Sequence, residues 1–285
     1  MSVKILTDST SYLTEDIRKQ LDIEIICLNV TFEDESFKET DIDNETFYKK
    51  MEQKGIPMSS QPSITEIQDK MLSIINAGDE IIGVFISSDM SGTYATAHMV
   101  KDMILETNKD AKIEIVDSRS NSMQLGFAAM VGAIAAKEGK SLEEVKKVVE
   151  DNIKRSRFLF IPDNLTYLKK GGRIGGAGAL IGNLLKIIPI LTVEDGKTTV
   201  ASKIRTKGKA MSTLLHMALE DISKYGLGSI AVHHINCMED AKAVAKELQE
   251  NLGVEVPIYD IGPVIGLHVG PGAIGVVYYT ERDLR

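Results

Sequence analysis

The side chains best placed by sequence to do chemistry sit in three polar segments. Ser87-Ser88-Asp89-Met90-Ser91-Gly92-Thr93-Tyr94 follows the most apolar strand-like run, Ile81 to Ile86, and opens a helical stretch. A helix start leaves backbone N–H groups without partners, and neighbouring hydroxyls add donors, so Ser91 and Thr93 suit a carboxylate or phosphate as well as ordinary capping. Gly92 would let such a ligand approach the main chain closely. In Pro57-Met58-Ser59-Ser60-Gln61-Pro62-Ser63 the last serine has a local duty, because Ser63-Ile64-Thr65-Glu66 is a capping box. Ser59 and Ser60 have none. The third segment, Gly262 to Gly272, reads as a long glycine-proline loop, and His268 is its only ionisable side chain. An imidazole can donate a hydrogen bond in either protonation state.

Other motifs are excluded on physical grounds. Gly176-Ala177-Gly178-Ala179-Leu180-Ile181-Gly182 looks like a dinucleotide-binding turn, but such a turn must follow a strand and this one does not. No phosphate-binding P-loop, HExxH or GxSxG motif occurs. His233 and His234 are adjacent on a strand-like run and point to opposite faces, which cannot make a metal pair. Asp8-Ser9-Thr10-Ser11 ends the first strand, where turn and cap duty is the expected role. The two cysteines, Cys27 and Cys237, lie far apart and read as free thiols, as in a reducing cytoplasm.

The elements that must position these residues alternate. Strands are expected at Val3 to Thr7, Ile23 to Val30, Ile81 to Ile86 and Ile113 to Val116. Helices are expected at Thr14 to Leu21, from Ser63 toward Asn76, and at Tyr94 to Leu105, Met123 to Lys137 and Leu142 to Lys154. Continuous apolar strands separated by helices imply a parallel sheet covered on both faces. After Phe158 to Ile161 the pattern changes. Glu194-Asp195-Gly196-Lys197 is a hairpin turn between Ile187 to Val193 and Thr198 to Ile204, so the second sheet is mixed. Ser229 to Ile235, Val254 to Ile261 and Ala273 to Tyr279 are its further strands. A boundary falls near residue 158, dividing the chain into 1–157 and 158–285. The chain has 285 residues, 43% of them hydrophobic, enough to bury a sizeable core. A net charge of −8 with no basic cluster argues against nucleic acid. No apolar run is long enough to span a bilayer, and the first residues lack a signal-peptide pattern, so a cytoplasmic protein is expected.

Five segments together resemble the DegV family of fatty-acid-binding proteins. They are Thr7-Asp8-Ser9-Thr10, Ser59-Ser60-Gln61-Pro62-Ser63, Ser88 to Tyr94, Tyr167-Leu168-Lys169-Lys170-Gly171-Gly172-Arg173-Ile174-Gly175, and His268-Val269-Gly270-Pro271-Gly272. The family usually has Thr where this chain has Ser59; the hydroxyl is kept and a methyl lost. The resemblance implies an α/β/α parallel-sheet domain packed against a two-layer α/β domain with a mixed sheet. It implies a buried long-chain fatty acid, with Ser59, Ser91 and His268 on the carboxylate and Ser60, Gly92, Thr93 and Gly270 shaping the site. It implies no cofactor, no metal and no catalysis by the chain itself. Some members present the carboxylate to a separate fatty-acid kinase for acyl-phosphate formation, a step in bacterial phospholipid precursor metabolism. There Arg173 looks similar to a residue engaging the kinase, with Lys169 and Lys170 beside it; a solvated helix end is the plainer role. Peripheral membrane contact is compatible with this picture. Met123 to Lys137 and Gly175 to Leu185 could line a tunnel or be plain core. The rival reading is a lipid esterase using Ser91 or Ser9 with His268, and a third is a carrier of another anionic lipid.

Overall fold

Alternation of side chains across the strands decides the layers. In the computed structural model, which describes residues 2–181 and 187–284, β1 (Val3–Asp8) sends Ile5 to one core and Leu6 to another. After α1 (Glu15–Leu21) comes β2 (Ile23–Ile26), which pairs parallel to β1. The chain then leaves this sheet. β3 (Asn29–Thr31), β4 (Ser36–Lys38) and, beyond α2 (Asn44–Lys54), β5 (Met58–Ser60) form a small antiparallel sheet in the order β4-β3-β5. The expected strand Ile23 to Val30 is therefore two strands in two sheets, and neither α2 nor the small sheet was anticipated.

α3 (Ile64–Asn76) starts at the expected capping box, with the Ser63 and Glu66 side chains each bonded to the other's backbone N–H. β6 (Glu80–Phe85), α4 (Thr93–Thr107) and β7 (Ile113–Asp117) complete a parallel sheet in the order β2-β1-β6-β7. α3 and α4 cover one face, while α5 (Ser122–Lys137) and α6 (Leu142–Arg155) cover the other. α5 carries glycine and alanine at close-packed positions and is buried on nearly all sides, as plain core.

β8 (Ser156–Ile161) opens the second sheet. Beyond α7 (Thr166–Lys170), β9 (Ile188–Glu194) and β10 (Lys197–Ile204) form the expected hairpin. Its turn has Asp195 at φ 47° and Gly196 at φ 81°, the double positive φ a two-residue hairpin requires. α8 (Lys207–Tyr225), β11 (Ser229–His234), α9 (Met238–Leu252), β12 (Ile258–Asp260), α10 (Pro263–Val269) and β13 (Ile274–Tyr279) follow. The sheet runs β10-β9-β8-β13-β11-β12 and mixes parallel and antiparallel pairs. α8 and α9 cover one face. The other face sends Phe158, Phe160, Leu191 and Val277 into the same core as Ile5, Ile82 and Val84, so the two sheets share one interior.

The segment read as a 262–272 loop contains α10, a genuine correction. Of Gly175 to Leu185, the described part is a 3-10 helix, Gly175–Leu180, and residues 182–185 lie outside the described residues. No helix among the described residues is long and apolar enough to cross a membrane.

Candidate functional site

A cavity opens where the carboxyl end of the parallel sheet meets the inner face of the mixed sheet, the place where open α/β folds gather ligands. It contains about 910 Å³ of atom-free space, its mouth included. Its walls are mainly apolar, with Leu28, Ile86, Phe158, Phe160, Val193 and Ile265 among them. One end is polar, where Ser59, Ser60, Ser91, Gly92 and His268 converge from β5, the β6–α4 loop and α10. Three segments far apart in sequence thus reach one wall.

The polar end is internally bonded. Ser59 Oγ lies 2.9 Å from His268 Nε2. Ser91 Oγ lies 2.9 Å from Thr93 Oγ1 and accepts the Thr93 N–H at 3.3 Å. Thr93 is fully buried and does not line the cavity; its contact orients the Ser91 hydroxyl. Burial, aided by the charge of Arg173, pushes His268 down to about 4, so the imidazole is neutral at pH 7. Its Nδ1 has no hydrogen-bond partner among the described residues.

Three glycines shape this end, each for a steric reason. A Cβ on Gly92 would stand 2.1 Å from Gln61 Oε1, so the space beside Gly92 belongs to the Gln61 amide rather than to a ligand. Gln61 in turn donates to Thr96 Oγ1 at 2.8 Å. Gly270, at φ 89°, ends α10 and lies behind the cavity wall, where a Cβ would stand 2.3 Å from the Tyr167 ring. Gly171 was not singled out by sequence, yet a Cβ there would lie 2.1 Å from His268 Nδ1. Only contact with the distant helix α10 reveals it.

The basic trio borders two different hollows. Arg173 turns toward the cavity, donating from Nε and Nη2 to the Met90 carbonyl at 3.0 and 2.9 Å and from Nη1 to the Gly171 carbonyl at 2.8 Å. Three of its five N–H donors are held by backbone carbonyls, and its charge acts on His268 through space. Lys169 and Lys170 instead border a second hollow with Pro162, Leu165 and Ile181.

His233, which sequence considered only as a metal ligand, also lines the cavity. Its Nδ1 lies 3.1 Å from the Tyr259 carbonyl and its Nε2 accepts the Met123 N–H at 3.0 Å. That fixes the Nδ1–H tautomer, and burial pushes the ring down to about 4. His234 faces the other way, toward Asp260 at 3.1 Å. Among the described residues, no group of three or more His, Cys, Asp or Glu is placed to hold a metal ion.

Asp8 has the expected cap duty. It accepts from the Thr10 N–H at 3.0 Å and from the Ile86 N–H at 2.7 Å, and burial pushes it up to about 6. Ser9 donates to the buried Glu39 carboxylate and accepts from the Leu28 N–H at 3.0 Å. Ser9 does not line the cavity.

Residues 2–281 match the family described as "Uncharacterised protein, DegV family". The chain belongs to the DegV family. It is 64% identical over 285 residues to a DegV domain-containing protein of Clostridium acetobutylicum, covering all of both chains. The crystal structure of DegV, a fatty-acid-binding protein from Bacillus subtilis, is similar with a TM-score of 0.88 and 34% identity over 99% of this chain and 100% of that one. A stearic-acid-binding protein from Eubacterium ventriosum is similar with a TM-score of 0.89 and 25% identity, over 98% of each chain. This DegV-family chain therefore shares its whole architecture, both sheets included, with proteins described as binding fatty acids.

Proposed function

We propose that the chain binds one long-chain fatty acid, with its acyl chain in the apolar body of the cavity and its carboxylate at the Ser59, Ser91 and His268 end. The observation that carries this reading is the cavity's polarity: an apolar interior closing on a serine–histidine pair with an arginine's charge nearby. Each buried methylene contributes about 0.8 kcal/mol, so a long acyl chain offers on the order of 10 kcal/mol before association costs. The hydroxyls and the imidazole then need only fix the head group. Ser60, Gly92, Thr93 and Gly270 shape that end, and Arg173 offsets the carboxylate's charge. The chain serves as a carrier rather than an enzyme. His268 at about 4 is a weak base, and its Nδ1 meets no orienting carboxylate among the described residues. Those features favour hydrogen-bond donation over proton abstraction from a serine.

The same site would present its carboxylate to a separate fatty-acid kinase, with Arg173 and Lys170 on the docking side. The reading is tested by denaturing the purified protein, extracting it with organic solvent and weighing the extract by mass spectrometry. A near-stoichiometric fatty acid of roughly 14–18 carbons is expected. A different anionic lipid would transfer the site to another ligand, and a lipid-free extract from unstripped protein would defeat the proposal.

A further inference from the structure

The helix bearing His268 has no cap of its own. The residue at the N-cap of α10 is Gly262, which has no side chain to offer, and Pro263 at the first helical position has no N–H. The next two backbone donors would be orphans. Both are met from the other end of the chain: Glu39 Oε2 accepts the Val264 N–H at 3.0 Å, and Tyr12 Oη accepts the Ile265 N–H at 3.0 Å. Tyr12 Oη also lies 3.3 Å from Glu39 Oε2 and from the Gly262 carbonyl, so its hydrogen is directed back into the same cluster. Glu39 is 4% exposed, and its other oxygen accepts from Ser9. The residue before that N-cap is held similarly, with the Ile261 carbonyl accepting from Asn44 Nδ2 at 3.1 Å and from Tyr48 Oη at 3.3 Å.

α10 has only seven residues, and His268 stands three and four positions after the two capped donors, one turn above them on the same face. We propose that Glu39 and Tyr12 are positioning residues for the fatty-acid head group, holding the first turn of α10 and so fixing where His268 meets the carboxylate. This rests on the carboxylate site proposed above and extends it to residues that touch no ligand. Neither residue lines the cavity. A buried carboxyl group and a tyrosine hydroxyl, each spent on one backbone N–H of so short a helix, have a purpose if that helix must hold one side chain in register with Ser59.

The test uses Tyr12→Phe, which removes one hydroxyl with almost no change in volume, and Glu39→Gln as the second variant. Palmitate affinity is measured for each, alone and combined with His268→Ala, together with the imidazole nitrogen resonances of His268. Tyr12→Phe should weaken binding roughly fivefold to tenfold, the worth of one helix-cap bond, and shift the His268 resonances. In the His268→Ala background it should cost less than about twofold. Equal losses in both backgrounds, or unchanged resonances with wild-type affinity in both variants, would overturn the proposal. If His268→Ala alone binds palmitate normally, the head-group site itself is wrong. If His268→Ala weakens binding and the other two do not, only the positioning role fails.

Discussion

Gly171→Ala should cripple the head-group site from outside it. The backbone at Gly171 is ordinary right-handed helix, φ −75° and ψ −7°, so alanine is conformationally allowed. Alanine there should even gain about 0.4–1 kcal/mol by narrowing the unfolded ensemble. Against that, the new methyl would lie 2.1 Å from His268 Nδ1, 2.9 Å from Cε1 and 3.2 Å from Cγ. This is the broad flank of a buried ring, not a flexible tip, and its far side is held by Ser59. Overpacking of this kind costs about 1–3 kcal/mol. The net destabilisation should be about 1–2 kcal/mol, a melting temperature lower by roughly 2–8 °C. Binding should suffer more. A displaced imidazole forfeits a charge-assisted hydrogen bond to the carboxylate, about 1.5–3 kcal/mol or roughly 10- to 150-fold in Kd. Fluorescent fatty-acid displacement titrations on Gly171→Ala, His268→Ala and the double variant would measure this. The double variant should bind like His268→Ala, because removing the ring makes room for the methyl. Wild-type affinity in Gly171→Ala, or a full additive loss in the double variant, would refute the reasoning. The additive result would trace the effect instead to Arg173, which donates to the Gly171 carbonyl.

Two further outcomes follow from the same geometry. Ser91→Ala and His268→Ala should each weaken fatty-acid binding about tenfold or more while leaving the far-ultraviolet circular dichroism unchanged; unchanged affinity in both would place the carboxylate elsewhere. Binding should also take up protons. The folded, ligand-free imidazole of His268 is held down to about 4, and a carboxylate beside it raises its pKa, so between about 4 and that higher value the complex holds more protons. Affinity therefore rises as pH falls through this window. Calorimetry in buffers of different ionisation enthalpy measures the uptake, and equal uptake in His268→Ala would remove the imidazole from the account.

Much of the fold is legible along the chain because its causes are local. The capping box at Ser63, the Asp195-Gly196 turn and the continuous apolar run at Ile81 each act within a few residues. Period-two alternation in β8 separates Phe158 and Phe160 from Leu159 and Ile161 before any partner is known. The same alternation sets His233 and His234 on opposite faces. Ser59 and Ser60 stood out for a negative reason, the lack of any cap duty beside a serine that had one.

What escaped that reading depended on contacts between distant segments. α10 looked like a loop because its cap lies 225 and 253 residues away, on Glu39 and Tyr12. The strand expected over Ile23 to Val30 divides because β3 pairs with β4 and β5 rather than extending β2. Gly92 reads in sequence as a place for a ligand to approach the main chain, and Gly171 carries no signal of its own, yet one makes room for Gln61 and the other for His268. Lys170 and Arg173 are both exposed, but only the fold shows that the Met90 carbonyl holds the Arg173 guanidinium beside the cavity while Lys170 borders another hollow. Residue type and spacing carry the information for caps, turns and strand faces, because those energies involve neighbours in the chain. Which polar groups share a cavity, and which backbone donors a buried carboxylate must satisfy, follows only from packing, because burial is a property of the folded whole.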